Sequence, residues 1–180
     1  MSAASTVTSL DVSGIAIRAL LLYSLAEFQS GHATIIRVTA QGTSFSIADN
    51  GRGHSIDRAV DGTPYLQFIY SHFEYPFDSN RSLPIQLQGI GMSLVNAMCS
   101  DFAITVKKRD EALHLIFRDA KLQESKRVKV ESEETGITIS ATINPLLQGC
   151  VVDEEQLEKW LLRVSASSPS LKLFFNGREL

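Results

Sequence analysis

The chain has 180 residues, 44% of them hydrophobic and 21% charged, with 17 basic and 20 acidic side chains for a net charge of −3. That is the make-up of one globular domain: long enough to bury a core without staples, too apolar for wholesale disorder, too varied for a fibre. The acidic balance argues against a surface that grips duplex DNA over its whole extent. Cys99 and Cys150 form neither a disulfide framework nor a metal-ligand pattern, which favours a reducing compartment. No apolar run is read as approaching the roughly 20 residues of a membrane span, and the first residues carry no secretory pattern, so no membrane association is expected.

Residues 1–13 are small and polar and read as a flexible lead, leaving one domain over 14–180. From Gly14 to Gln29 the sequence is apolar nearly all round, rich in Leu and Ala, and closes on Ser30-Gly31-His32. It predicts a buried helix with Gly31 as left-handed cap. Thr34–Thr39 and Ser44–Ala48 alternate with period two about a short Gly-bearing connection, which predicts a hairpin. Asp49-Asn50-Gly51-Arg52-Gly53 then breaks the chain, and Ile56–Ala59 and Tyr65–His72 read as short helical turns. Residues 73–88 are irregular, a length that inside a domain points to a functional or mobile loop. Gly89-Ile90-Gly91-Met92 opens a second apolar helix through Met98.

Strands are predicted at Asp101–Val106, Leu113–Arg118, Arg127–Glu131 and Ile137–Ile143, with Lys107–Glu111 as a charged hairpin tip. Asp153 is the N-cap of a helix to about Val164, with Glu154 and Glu155 in its favoured first turn. Leu171–Phe175 is a last strand. Asn176-Gly177 signals a hairpin turn with too little chain behind it to turn into, so a following domain is expected beyond residue 180. This order predicts an α+β two-layer sandwich, helices on one face of a mostly antiparallel sheet.

Two stretches carry a resemblance: GHATIIRVTAQGTSFSIADNGRG and, after the irregular segment, LQGIGMSLVNAMCSDFAITVKK. Together they resemble the ATP-binding domain of gyrase B and its type II topoisomerase relatives, members of the GHKL group with the Bergerat fold. The likeness runs from about Ile15 to Phe175. It implies that Asp49 accepts a hydrogen bond from the adenine amino group while Gly51 and Gly53 let a purine ring lie against backbone. Read without the second stretch, D-N-G is better taken as a plain Asx turn. Gly89 and Gly91 match the G-x-G whose backbone N–H groups approach phosphates, a pattern that also suits a plain glycine-led helix start. Glu27 and Arg52 fall where the family has an ion pair that braces the adenine pocket.

The sequence departs from the family where the chemistry happens. The first helix of an active relative carries a glutamate base and, four residues on, an asparagine that ligates Mg²⁺. Counted back from Gly31-His32, these positions hold Ala19 and Tyr23. Alanine cannot take a proton, and a neutral phenol is a poor magnesium ligand. Thr135-Gly136-Ile137 replaces T-G-T, Glu74-Tyr75-Pro76-Phe77 replaces the lid's G-G-K-F, and Ile85 and Gln86 replace two glycines. The resemblance, so altered, implies a degenerate domain with no catalytic or metal-binding residue and no Mg²⁺, with ATP or ADP bound weakly at most. It would act as an interaction or scaffold module, through a protein partner or self-association, in nuclear DNA or chromatin work, reaching DNA through a larger complex. The alternative is an active or partner-activated ATPase of topoisomerase or MutL type, with Glu27 or Glu74 in the base position. His54, His72 and His114 lack ligand spacing and read as plain surface or core histidines. Trp160 reads as a packing residue, and Lys107-Lys108-Arg109 as solvated charge.

Overall fold

The computed structural model of the chain describes residues 11–72 and 91–180. Helix α1 (Val12–Gln29) starts two residues before the expected Gly14, because the Asp11 carboxylate caps it by accepting the Gly14 N–H at 2.8 Å. Strands β1 (Ile35–Gln41) and β2 (Ser44–Asp49) make the expected hairpin. The helical turn expected at Ile56–Ala59 does not form; a small ribbon, β3 (Ala59–Val60) with β4 (Thr63–Pro64), begins at its last residue. The reason is Asp61-Gly62, both at positive φ (48° and 82°), a turn pair that joins strands and not helices.

Then come α2 (Tyr65–Ser71), α3 (Met92–Ala97), β5 (Cys99–Lys108), β6 (Glu111–Arg118), β7 (Lys121–Lys129) and β8 (Gly136–Ile143). Helix α4 (Glu154–Ser167) follows, capped by Asp153 as expected, and then β9 (Lys172–Phe175) and β10 (Arg178–Glu179). Asn176 and Gly177 do turn the chain back. Both have positive φ (46° and 83°), and Arg178 and Glu179 pair antiparallel with Phe175 and Phe174. Two residues suffice as the returning strand.

The eight-stranded sheet has the order β10-β9-β1-β2-β8-β5-β6-β7, antiparallel throughout except for the β1–β9 pair. Register decides which face is inside. Leu173, Ile36, Asp49, Ile137, Val106 and Leu113 lie in one row across six strands; Phe175, Val38, Ile47, Ile139, Ile104 and Leu115 form the next. All are buried, and Ile17, Leu20 and Leu21 of α1, Val95 of α3 and Leu161 of α4 join them in one core. The predicted two-layer α+β sandwich is what the chain forms. By length and composition alone α1 is apolar enough to cross a bilayer, contrary to the expectation that no run comes close; here half of it is buried in the domain as a core helix. Asp49 is the one charged side chain in the two core rows.

Candidate functional site

Among the described residues, most of those the family pattern singles out gather where β2 leaves the sheet beside the last turns of α1. Asn50 pins that exit: its Oδ1 accepts the backbone N–H groups of Thr34 (2.8 Å) and Ile35 (2.9 Å), and its Nδ2 donates to the Thr34 hydroxyl (2.9 Å). Period two turns Asp49 inward, where it is 8% exposed. Its Oδ2 accepts the Ser24 hydroxyl at 2.5 Å and its Oδ1 the Gly51 N–H at 2.9 Å. Burial pushes the Asp49 carboxyl above the usual range, against the pull of those two donors.

Glu27, one turn beyond Ser24 on α1, holds Arg52 at three points. Its carboxylate accepts Arg52 Nη2 at 2.8 Å, Nε at 3.2 Å and the backbone N–H at 3.0 Å. Burial alone would raise the Glu27 carboxyl; the hydrogen bonds from the Arg52 side chain and backbone outweigh it and hold the group below the usual range. The predicted brace exists, half buried: the Glu27 side chain is 8% exposed and that of Arg52 57%.

The glycines serve the fold as well as any ligand. A Cβ on Gly53, which has φ +65°, would lie 2.8 Å from Val106 Cγ1 and 2.9 Å from the Gly136 carbonyl. One on Gly136 would lie 2.0 Å from the Asp49 carbonyl oxygen. Close packing of the D-N-G-R-G loop onto β5 and β8 therefore demands both, whether or not a purine comes near. Gly51 is less constrained by backbone, its nearest neighbours being the Glu27 and Asp49 carboxylates at 3.0–3.1 Å.

Asp49, Gly51, Gly53, Glu27 and Arg52 thus meet at one place. Gly91 stands apart as the N-cap of α3, its carbonyl accepting the N–H groups of Leu94 and Val95 (3.0 and 3.2 Å). Gly89, the segment Glu74-Tyr75-Pro76-Phe77, Ile85 and Gln86 lie outside the described residues. Ala19 and Tyr23 both point into the core side of α1, 8% and 9% exposed. Ile137, in the changed T-G-T, is buried directly opposite Asp49 across the β2–β8 pair.

Three members of the site are not evident from sequence motifs. Ser24 is one; a serine buried to 1% in an apolar helix is the clue it leaves. His54, a core histidine, sits 6% exposed with Nε2 3.3 Å from the Tyr70 hydroxyl, and burial, assisted by the Lys108 charge, takes its pKa down to about 3. Lys108 is the third, and corrects the reading of its tip as solvated charge. Its Nζ donates to the Arg52 carbonyl at 2.6 Å and the Gly53 carbonyl at 3.2 Å, tying the loop to the end of β5. Among the described residues no group of three or more His, Cys, Asp or Glu is placed to hold a metal ion.

No family model matches the chain. It is 30% identical over 164 residues to the gyrase B protein of Campylobacter jejuni, a match covering 87% of this chain and 21% of that protein. The topoisomerase 4 B protein of Mycoplasma genitalium is 26% identical over 168 residues, covering 89% and 26%. The chain therefore spans about a fifth to a quarter of the length of these relatives. In fold it is similar to a solved topoisomerase IV ATP-binding domain of Francisella tularensis in complex with a small-molecule inhibitor, with a TM-score of 0.77 over 91% of this chain and 83% of that one at 20% identity. On these likenesses, and with its aspartate, its loop glycines and its Glu27–Arg52 brace in place, the chain is a gyrase-B-like domain of the GHKL group.

Proposed function

We propose that this domain has given up ATP hydrolysis and serves as an interaction or scaffold module, through a protein partner or its own second copy, in nuclear DNA or chromatin work. One observation carries the reading: the inner face of α1 presents Ala19 and Tyr23 where hydrolysis needs a base and a metal ligand. Position 19 has no atom that could orient water. The Tyr23 phenol is held neutral, because burial and the nearby Glu27 and Asp49 carboxylates raise its pKa above the usual value. A neutral phenol is a weak partner for Mg²⁺, which prefers carboxylate, carbonyl and water oxygens, so these residues do not fit the ion.

Relocation of the base to Glu27 is disfavoured by the three bonds from Arg52, which would have to break before that carboxylate could turn to a water. General-base catalysis contributes about 10²–10⁴-fold, and its loss together with the metal leaves little phosphoryl transfer. Asp49 keeps spare acceptor capacity for one amino group, which supports at most weak purine binding without turnover.

Phosphate release by the purified chain with Mg²⁺ and ATP tests this. The expected rate equals that of buffer and does not change in Asp49→Asn. Turnover that Asp49→Asn abolishes would contradict the proposal.

A further inference from the structure

The ring of Tyr23 lies against that of His54, centroids 4.2 Å apart and planes tilted by 37°. One comes from α1, next in sequence to the Ser24 that binds Asp49; the other directly follows Gly53. The Asp49 carboxylate is near enough to Tyr23 to act on its phenol, and both rings are buried, at 9% and 6% exposure. His54 is itself fixed from behind. The rings of Tyr65 and Tyr70 meet it edge-on at 6.4 and 5.8 Å, and Tyr70, which bonds its Nε2, is wholly buried. A neutral imidazole held on three sides by aromatic rings is a firm backstop.

We propose that Tyr23, backed by His54, is a specificity-determining plug: its ring fills the space beside Asp49 that a purine would need, and so keeps purine nucleotides out of this chain. The inference rests on reading Asp49 as the purine-facing carboxylate. It goes further than lost hydrolysis, because it concerns entry and not reaction. The ligand class follows from what the plug hides. A carboxylate offers about four acceptor positions, and Ser24, Gly51 and the Ile137 backbone N–H take three, so a flat heteroaromatic bearing one exocyclic amino group could still be met. His54 would give such a ring an aromatic wall once Tyr23 is shortened.

ADP without metal is the probe, with calorimetry and melting as readouts, on the wild-type chain, Tyr23→Phe, Tyr23→Ala and Tyr23→Ala/Asp49→Asn. Wild type and Tyr23→Phe, which keeps the ring, are expected to show no heat and no melting shift at millimolar ADP. Tyr23→Ala is expected to bind at least about tenfold more tightly than wild type, and the added Asp49→Asn to remove that gain. A merely structural role for Tyr23 would lower the melting temperature without creating affinity. Wild-type binding as tight as that of Tyr23→Ala overturns the plug, and so does a folded Tyr23→Ala that binds nothing. Tyr23→Leu, which keeps an apolar stem in the core, takes its place if Tyr23→Ala does not fold, with the same two outcomes. Wild-type binding without turnover would end the plug and leave the proposed loss of hydrolysis standing; wild-type turnover would end both, and a folded Tyr23→Ala that binds nothing would end the plug alone.

Discussion

Asp49 and Glu27 sit close together, yet the fold shifts their titrations in opposite directions. The Glu27 carboxyl is held below its usual value, so the stability it contributes is present above the pKa of an unfolded glutamate and is lost as pH falls through the folded value. The Asp49 carboxyl is raised, so its contribution is greatest below the unfolded aspartate value and is lost as pH rises through the folded one. Above its raised folded value, ionised Asp49 weighs against the fold. Asp49→Asn is accordingly expected to leave the denaturant midpoint unchanged or slightly higher, while Arg52→Ala, which strips Glu27 of its partner, lowers stability by about 1–2 kcal/mol, a figure kept small by the exposure of Arg52. His54 supplies a separate window. Its pKa of about 3 lies below that of a free imidazole, so its contribution is full above about pH 6.5 and declines with falling pH by up to about 1.4 kcal/mol per unit. Urea titrations from pH 7 to pH 5 should show that loss, roughly 2 kcal/mol in all, and His54→Leu should flatten it. Between pH 6.5 and 5 Glu27 is still ionised, and Asp49, whose carboxyl is raised, acts in the opposite sense, so the difference between wild type and His54→Leu isolates the histidine.

At the level of elements, the parts legible in the sequence are those whose signal is local. The β1–β2 hairpin alternates with period two, and α4 announces itself by Asp153 and the acids behind it. Strand β7 lies at Lys121–Lys129, earlier than the Arg127–Glu131 that the sequence predicts. It is an edge strand exposed on both faces, so Gln, Glu, Ser and Lys fill it and no alternation marks it. Within the site, Asp49, Glu27 and Arg52 are legible through the family pattern. Ser24 and Lys108 are not, because their partners lie 25 and 55–56 residues away and only the sheet brings them together. Gly136 shows how tightly. Gly136→Ala would drive a Cβ into the Asp49 carbonyl at a φ of +142°, and is expected to lose more than about 2 kcal/mol. Gly31→Ala, at φ +76° but with open space around it, should lose only about 1 kcal/mol. Thermal melts of the two variants side by side separate crowding from backbone strain.

Over the whole molecule, a single core row runs from Leu173 through Ile36, Ile137 and Val106 to Leu113, with Asp49 as its one interruption. Apolar rows and an all-round apolar α1 form one continuous core that holds this fold. An architecture held this way is compatible with the proposed loss of hydrolysis, which is what a scaffold requires. Stability should then be indifferent to Mg²⁺, and the melting temperature with Mg²⁺ should match that with chelator. Single-turnover phosphate release, with the chain in excess over radiolabelled Mg²⁺-ATP, tests the central claim most directly. With no base at Ala19 and no ligand at Tyr23, the label should stay on the nucleotide as long as it does in buffer. Chain-dependent release that stops in Asp49→Asn would show that another residue does the work, and the account would be wrong.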